Sequence, residues 1–440
     1  MRQIVILLIT FLFIGCSNKI ENLEKFKLLP SVQELEFRNT FSNLNFENIK
    51  FAYSINNNEL PIRYDFTNHI KNNTQSESTI DYHIDPSLDL NQEGYKLNIL
   101  KDKISIVAKD EAGLFYAFTT LDQLIEDSKD QNVNLPMLSI KDYPLIKFRP
   151  IHIDVKHHLE KESYYYQLMD HLAQLKINGI ILEIEDKLKY ERRPEVGSED
   201  ALSIEQWKSI SEYAKKRNIN ISPLVQGLGH ASYILKHEQN KKLRDDPKSD
   251  WAFNPLDPET YKLQFDLYLD AMEATPYGKY LHVGGDEVQT TGRKSGKSAL
   301  ELNLIWLNKV SAFAEKHNRI PVFWDDMLLK QGEVYYPIYD LNISEQKVDS
   351  IWEVNEPKLN KFIKQFPENC IYMRWNYHAT ESYGNARAMD WFTNNGLKVM
   401  GATAGQTRWT LMPQRESNID QIRIFADQSI KRNFNGLLLT

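Results

Sequence analysis

Between residues 51 and 108 apolar and polar positions alternate in short runs: FAYSI (51–55), IDYHI (80–84), YKLNIL (95–100) and KISIVA (103–108). Alternation with a period of two predicts half-buried strands. The period then lengthens. Leu114, Phe115, Phe118, Leu121, Leu124 and Ile125 recur at helical spacing behind Asp110, which predicts a helix capped by that aspartate. Strands followed by a helix make a small α+β domain, ending near the turn signal Asp142-Tyr143-Pro144.

From Ile146 apolar strands alternate with amphipathic helices. The strands are FRPIHIDV (148–155), GIILEIED (179–186), NISPLVQ (220–226), YLHVGGDE (280–287), PVFWDDM (321–327), IYMRWNY (371–377), KVMGATA (398–404) and GLLLT (436–440). Tyr165, Leu168, Met169, Leu172 and Leu175 form the stripe of the first intervening helix. Asp257-Pro258-Glu259 starts another, with proline at its first position. Eight strands separated by helices predict an α/β fold, a (β/α)8 TIM barrel over 146–440. The last strand reaches Thr440 with no covering helix after it, so a chain truncated in that strand is expected.

Composition narrows the class. The chain has 440 residues, which allows two to four domains. With 42% hydrophobic and 11% aromatic residues it has material for a large core, and wholesale disorder is excluded. Net charge is −7 and no long basic run occurs, which argues against nucleic acid as a partner. Two cysteines exclude a disulfide framework or a Cys-rich zinc module. The N-terminus, MRQIVILLITFLFIGC, has Arg2 before an apolar run too short to span a bilayer as a mature helix. It reads as a secretory signal over 1–16, followed by a partly tethering segment within 17–145. Phe13-Ile14-Gly15-Cys16 resembles a bacterial lipoprotein box, implying acylation of Cys16 and retention at a membrane face of the cell envelope. Cys370 is then the remaining thiol, expected in the core.

Barrel active sites lie at the C-terminal strand ends. There this sequence puts Asp154 and His158, Glu185 and Asp186, His230, Asp286 and Glu287, Trp324 and Asp325, and Trp375 and Tyr377. Carboxylates on apolar strands are expensive to bury without a task. In LHVGGDEV (281–288) two glycines leave room for a ligand, and Asp286 and Glu287 meet one substrate only if the strand is ending. Paired carboxylates suit glycosidic bond cleavage, although a surface Asp-Glu after a turn reads the same way.

His282-Val283-Gly284-Gly285-Asp286-Glu287 resembles the His-x-Gly-Gly-Asp-Glu signature of glycoside hydrolase family 20, the β-N-acetylhexosaminidases. AGLFYAFTTLDQLI (112–125) and FRPIHIDVKHHL (148–159) resemble other family segments. LEIEDKLKY (182–190), PLVQGLGHASYILKHE (223–238) and PVFWDDML (321–328) are similar to the hexosaminidase D-like branch. The resemblance implies an exo-acting hydrolase that releases terminal N-acetylhexosamine by a substrate-assisted retaining mechanism. It implies no cofactor and no metal. Glu287 would be the acid and then the base; Asp286 would orient the acetamido group, with Glu287 protonated and Asp286 ionised at rest. Arg149 would grip sugar hydroxyls. His230 would bond Glu287 or relay to Asp186. Trp324, Trp375 and Trp409 would cage the acetamido group or belong to the core. Tyr377 would aim the acetamido oxygen, and Asp325 would bind a hydroxyl or cap a helix.

Glu185-Asp186-Lys187 departs from the common branch's Asp-Asp pair, and the family's last-strand tryptophan would lie past Thr440. Two rivals remain. His152, His157, His158, His230 and His282 invite a metal-dependent barrel hydrolase, against which stands His-x-Asp in place of His-x-His on the first barrel strand. A catalytically inactive sugar-binding lipoprotein of the same fold is the other. N-acetylglucosamine or N-acetylgalactosamine glycans are the expected partners, and membrane contact is through the lipid alone.

Overall fold

The computed structural model of the protein describes residues 26–44, 49–53, 74–156, 158–405 and 415–440. Cys16, His157 and Trp409 fall outside them. The chain divides into two compact units, one ending at Tyr143 and the other beginning at Pro144.

The first unit carries a six-stranded mixed sheet. Its strands are β1 (Glu34–Phe41), β2 (Lys50–Tyr53), β3 (Thr79–Ile84), β4 (Tyr95–Ile99), β5 (Lys103–Ala108) and β6 (Pro136–Asp142). Their order is β1-β6-β4-β5-β3-β2. The helix Glu111–Gln131 covers one face and buries Leu114, Phe115, Phe118, Leu121, Leu124 and Ile125. Asp110 caps it, its Oδ1 accepting the N–H of Gly113 at 2.8 Å. Sequence alternation missed β1 and β6. β1 is an edge strand with nearly every residue exposed, so no apolar face marks it.

The second unit is a closed parallel barrel. Its first two strands are β7 (Pro150–Asp154) and β8 (Gly179–Glu183). A two-residue parallel pair follows, β9 (Leu188–Lys189) and β10 (Leu202–Ser203). The barrel continues with β11 (Asn220–Gly227), β12 (Tyr280–Gly284), β13 (Ile320–Trp324), β14 (Ile371–Trp375), β15 (Lys398–Thr403) and β16 (Leu437–Leu439). β16 pairs with β15 and with β7, which closes the barrel. The first helix after β7 spans Glu162–Gln174; Leu175 lies beyond it and is 47% exposed, outside the expected stripe. Asp257 caps the helix Pro258–Ala274 as its sequence predicts. Among the described residues no helix is long and apolar enough to cross a membrane.

The barrel interior is layered. Phe148, Ile181, Leu224, Tyr280, Val322, Ile371 and Met400 belong to its apolar packing. Two residues further along β8, β11 and β12, on the same face, come Glu183, Gln226 and His282. The interior therefore changes from apolar to polar toward the C-terminal strand ends, where barrel sites are built. Cys370 is buried, as expected of a core thiol.

Candidate active site

β12 stops at Gly284, and the chain leaves it through two left-handed glycines, φ 72° at Gly284 and 93° at Gly285. A β-carbon at Gly284 would lie 2.0 Å from Gln226 Oε1, and one at Gly285 would lie 2.2 Å from the Phe323 ring. The glycines thus admit neighbouring side chains, where sequence reasoning assigned their space to a ligand. His282 Nδ1 accepts the N–H of Gly284 at 3.1 Å, which fixes its neutral tautomer and the start of the turn. Burial holds this imidazole near pKa 3, so it is uncharged. Glu287 is also left-handed, at φ 49°. The strand has ended before the carboxylate pair, the condition under which both side chains meet one ligand.

His230 comes from the loop after β11, again in a left-handed conformation, φ 49°. Its Nε2 lies 3.3 Å from Asp286 Oδ2 and 3.6 Å from Glu287 Oε2. Burial opposes charge on this ring, but Asp286 and the more distant Glu183 outweigh it and raise its pKa. Trp251 fastens both halves of the site. Its ring centroid lies 4.4 Å from that of His230, and its Nε1 donates to the Glu287 carbonyl at 3.2 Å.

Behind the pair stands Asp326. Its Oδ2 accepts the N–H of Glu287 at 3.3 Å and meets Lys330 Nζ at 2.8 Å. Burial, and then the charge of Asp286, push the Asp326 carboxyl upward. Sequence reasoning chose its neighbour. Asp325 is fully buried, 3.2 Å from the buried guanidinium of Arg374. Its side chain makes no capping hydrogen bond and has no surface for a sugar, so both expected roles are corrected. Desolvation pushes it to about 7, Arg374 opposing.

Below the rim lies an ionised centre. Glu183 Oε2 is 3.0 Å from His152 Nε2, and its Oε1 accepts from Lys156 Nζ at 3.1 Å and Gln226 Nε2 at 3.0 Å. Burial alone would neutralise it, yet His152, Lys156 and Gln226 hold it well below the usual carboxyl range. Lys156 also pairs with Asp154 at 2.9 Å. Glu185, two residues on in the turn after β8 at φ 37°, has the opposite state: burial first, then the charge of Glu183, raise it to about 8. At neutral pH it carries its proton.

The structure brings Asp286, Glu287 and His230 together. Trp375 and Tyr377 meet with ring centroids 5.3 Å apart at the end of β14, and Trp375 packs on the interior. Trp324 is 5% exposed, its ring 4.5 Å from that of His282, and belongs to the interior packing. Asp186 stands on the rim, 3.6 Å from Lys187 and 3.9 Å from Lys236. Arg149 is a correction. It precedes β7 at the opposite end of the barrel, where its guanidinium donates to the carbonyls of Ile146 (2.8 Å) and Lys176 (2.9 Å). It fastens the strand bottom, because the residue that opens a strand lies a full strand length from the C-terminal rim. His158 is exposed and pairs with Glu160 at 2.9 Å. Four contributors escaped sequence reasoning: Trp251, Asp326 and Glu183, for which spacing carries no signal, and Glu185, seen at the rim without a role.

Comparison with known proteins agrees with this layout. The profile "Glycosyl hydrolase family 20, domain 2" matches residues 27–143, and "Glycosyl hydrolase family 20, catalytic domain" matches 146–387. Hexosaminidase D of Bos taurus is 30% identical over 192 residues, 41% of this chain and 56% of that protein. The Beta-hexosaminidase of Porphyromonas gingivalis is 27% identical over 288 residues, 56% of this chain and 37% of that protein. The chain thus spans about half or less of these relatives' lengths. The structure of beta-N-acetylhexosaminidase from Bacteroides fragilis superposes with TM-score 0.64 at 18% identity, covering 89% of this chain and 78% of that one. The GH20 beta-N-acetylhexosaminidase from Streptomyces coelicolor gives 0.68 at 15% identity, covering 94% and 86%. Likeness at such identities carries the fold alone.

Proposed function

The chain belongs to glycoside hydrolase family 20, and on that premise we propose that it is an exo-acting β-N-acetylhexosaminidase releasing terminal N-acetylhexosamine from glycans. The observation that carries this reading is the turn after β12, which sets Asp286 and Glu287 beyond the strand end with His230 Nε2 3.3 and 3.6 Å away. The Hexosaminidase D and Beta-hexosaminidase relatives support the substrate class.

The steps follow from the side chains. The substrate's acetamido oxygen attacks the anomeric carbon as the glycosidic bond breaks, and Glu287 gives its proton to the departing oxygen. Asp286 accepts from the acetamido N–H and faces the cationic oxazolinium that forms. Water, giving a proton to Glu287, then opens that ring with net retention. His230 stands beside both carboxyl groups, Trp251 and Asp326 fix the backbone of Glu287, and Trp375 with Tyr377 supply an aromatic wall.

The N-terminal sequence supports a further part of the proposal: acylation at Cys16 and anchoring in a bacterial envelope.

Paired aryl N-acetyl-β-glucosaminide, N-acetyl-β-galactosaminide and plain β-glucoside test the reading. Turnover requires the amide, and Glu287→Gln loses activity on a chitobiose-type disaccharide while still binding N-acetylglucosamine. Equal cleavage of the glucoside, or full activity of Glu287→Gln, refutes it. Binding of N-acetylglucosamine without turnover by the unaltered protein marks a sugar-binding lipoprotein instead.

A further inference from the structure

We propose that His230, Asp286 and Glu287 also form a site for a borderline transition-metal dication, with Zn²⁺ as its probe, and that filling it blocks hydrolysis. The three offer one imidazole nitrogen and two carboxylate oxygens, all within 4.8 Å of one another. A tetrahedral ion with bonds of about 2.0–2.2 Å sets its donors about 3.3–3.6 Å apart. The two measured edges, 3.3 Å from His230 Nε2 to Asp286 Oδ2 and 3.6 Å to Glu287 Oε2, already have that length. They are long for an N–H···O bond. His230 Nε2 and Asp286 Oδ1 are both shielded from solvent with no aligned hydrogen-bond partner. An ion held by the Oδ2 edge would satisfy the imidazole nitrogen.

Mixed imidazole and carboxylate donors suit Zn²⁺, Cu²⁺ or Ni²⁺, whereas Mg²⁺ asks for six oxygens in an octahedron. Contact with the Trp251 ring holds the imidazole plane in place, an outer contact of the kind that orients metal ligands. The side chain of Glu287 is 54% exposed, leaving a fourth position on the open side for water. Lys156, a cation whose field reaches His230, is committed to Asp154 and Glu183 at 2.9 and 3.1 Å. The bound ion would occupy both carboxylates that the sugar needs, so inhibition is competitive. It adds a ligand to the site without being a participant in turnover.

Titration of chelator-treated protein with Zn²⁺ by calorimetry, and with Co²⁺ by visible absorption, tests the site directly. The expected result is stoichiometric uptake, the intense bands of four-coordinate Co²⁺, and inhibition competitive with an N-acetyl-β-glucosaminide and reversed by chelator. His230→Ala and Glu287→Gln each weaken uptake at least about tenfold. His171→Ala, on an exposed helix position, leaves uptake unchanged. Should His230→Ala unfold by circular dichroism, Glu287→Gln decides alone, since it keeps the acid's shape. No uptake at about 1 mM Zn²⁺, weaker than the typical range for protein zinc sites, overturns the proposal. So does unchanged uptake in both variants, or non-competitive inhibition. Uptake and spectrum are read without turnover, so they stand or fall apart from the hydrolase reading.

Discussion

The main-chain N–H of Glu287 donates to Asp326 Oδ2 at 3.3 Å. This one bond ties the rim of β12 to the first turn of the helix after β13, and Lys330 holds the same carboxylate at 2.8 Å. Its removal frees the acid to shift relative to the scissile oxygen. We expect Asp326→Ala to lower kcat about 10- to 100-fold, since displacements on the order of 1 Å cost that much. KM should move less, and Asp326→Asn, which keeps an acceptor, should restore part of the loss. Steady-state kinetics on a disaccharide checks this; an unchanged kcat in Asp326→Ala counts against the role.

Gly284 has no room for a side chain. A methyl group there meets Gln226 Oε1 at 2.0 Å and must adopt φ 72°. Gly284→Ala should therefore destabilise by about 1–3 kcal/mol, from the backbone strain alone. It should also reduce turnover by displacing the carboxylate pair. Urea unfolding with equal m-values measures the first effect and kcat the second. Gln226→Ala in the same chain should relieve the clash while exposing Glu183 to an unpaired bond, so the double variant should not regain full stability.

Glu185 makes stability depend on pH in one direction. Its folded pKa, raised to about 8, exceeds its ordinary value of 4.5. The folded chain keeps a proton that the unfolded chain has already released between those limits, so this group lowers stability as pH climbs from about 4.5 to about 8. Glu185→Gln removes the dependence. The melting temperature of Glu185→Gln should exceed that of the unaltered protein at pH 8 and match it near pH 4.5. Equal melting temperatures at both pH values would contradict the placement of Glu185 beside Glu183.

Trp251 is 40% exposed, so replacing it costs little core packing. Trp251→Phe keeps a ring against His230 but deletes the N–H donated to the Glu287 carbonyl. A hydrogen bond worth about 0.5–1.5 kcal/mol corresponds to a two- to tenfold fall in kcat, with about the same melting temperature. Trp251→Ala should fall further, having lost both contacts. Kinetics of Trp251→Phe equal to those of the unaltered protein would mean that the indole N–H does not position the acid.

Much of the barrel was legible because each strand is an apolar run bounded by turn residues, and parallel strands buried on both faces leave that mark. The carboxylate pair was legible for a second reason: two glycines immediately before Asp286-Glu287 signal the end of a strand. Contacts between distant segments were not. Nothing in the spacing of Trp251 or Asp326 announces that they meet Glu287, 36 and 39 positions away. In Trp324-Asp325-Asp326 the strand gives way to a helix, and at that junction a one-residue difference turns Asp325 toward Arg374 and Asp326 toward Glu287. Arg149 misled because a motif match gives a position along a strand, while function depends on which end of the barrel that position reaches.

The ionised centre around Glu183 draws on β7, β8, β11 and the stretch just after β7 for His152, Gln226 and Lys156, and through Gln226 it abuts Gly284 of β12. Four neighbouring staves of the barrel thus share one knot of charge and shape. A lineage that exchanged any single member would inherit an uncompensated ion or a collision, so these positions are expected to change together or not at all among descendants of a common ancestor.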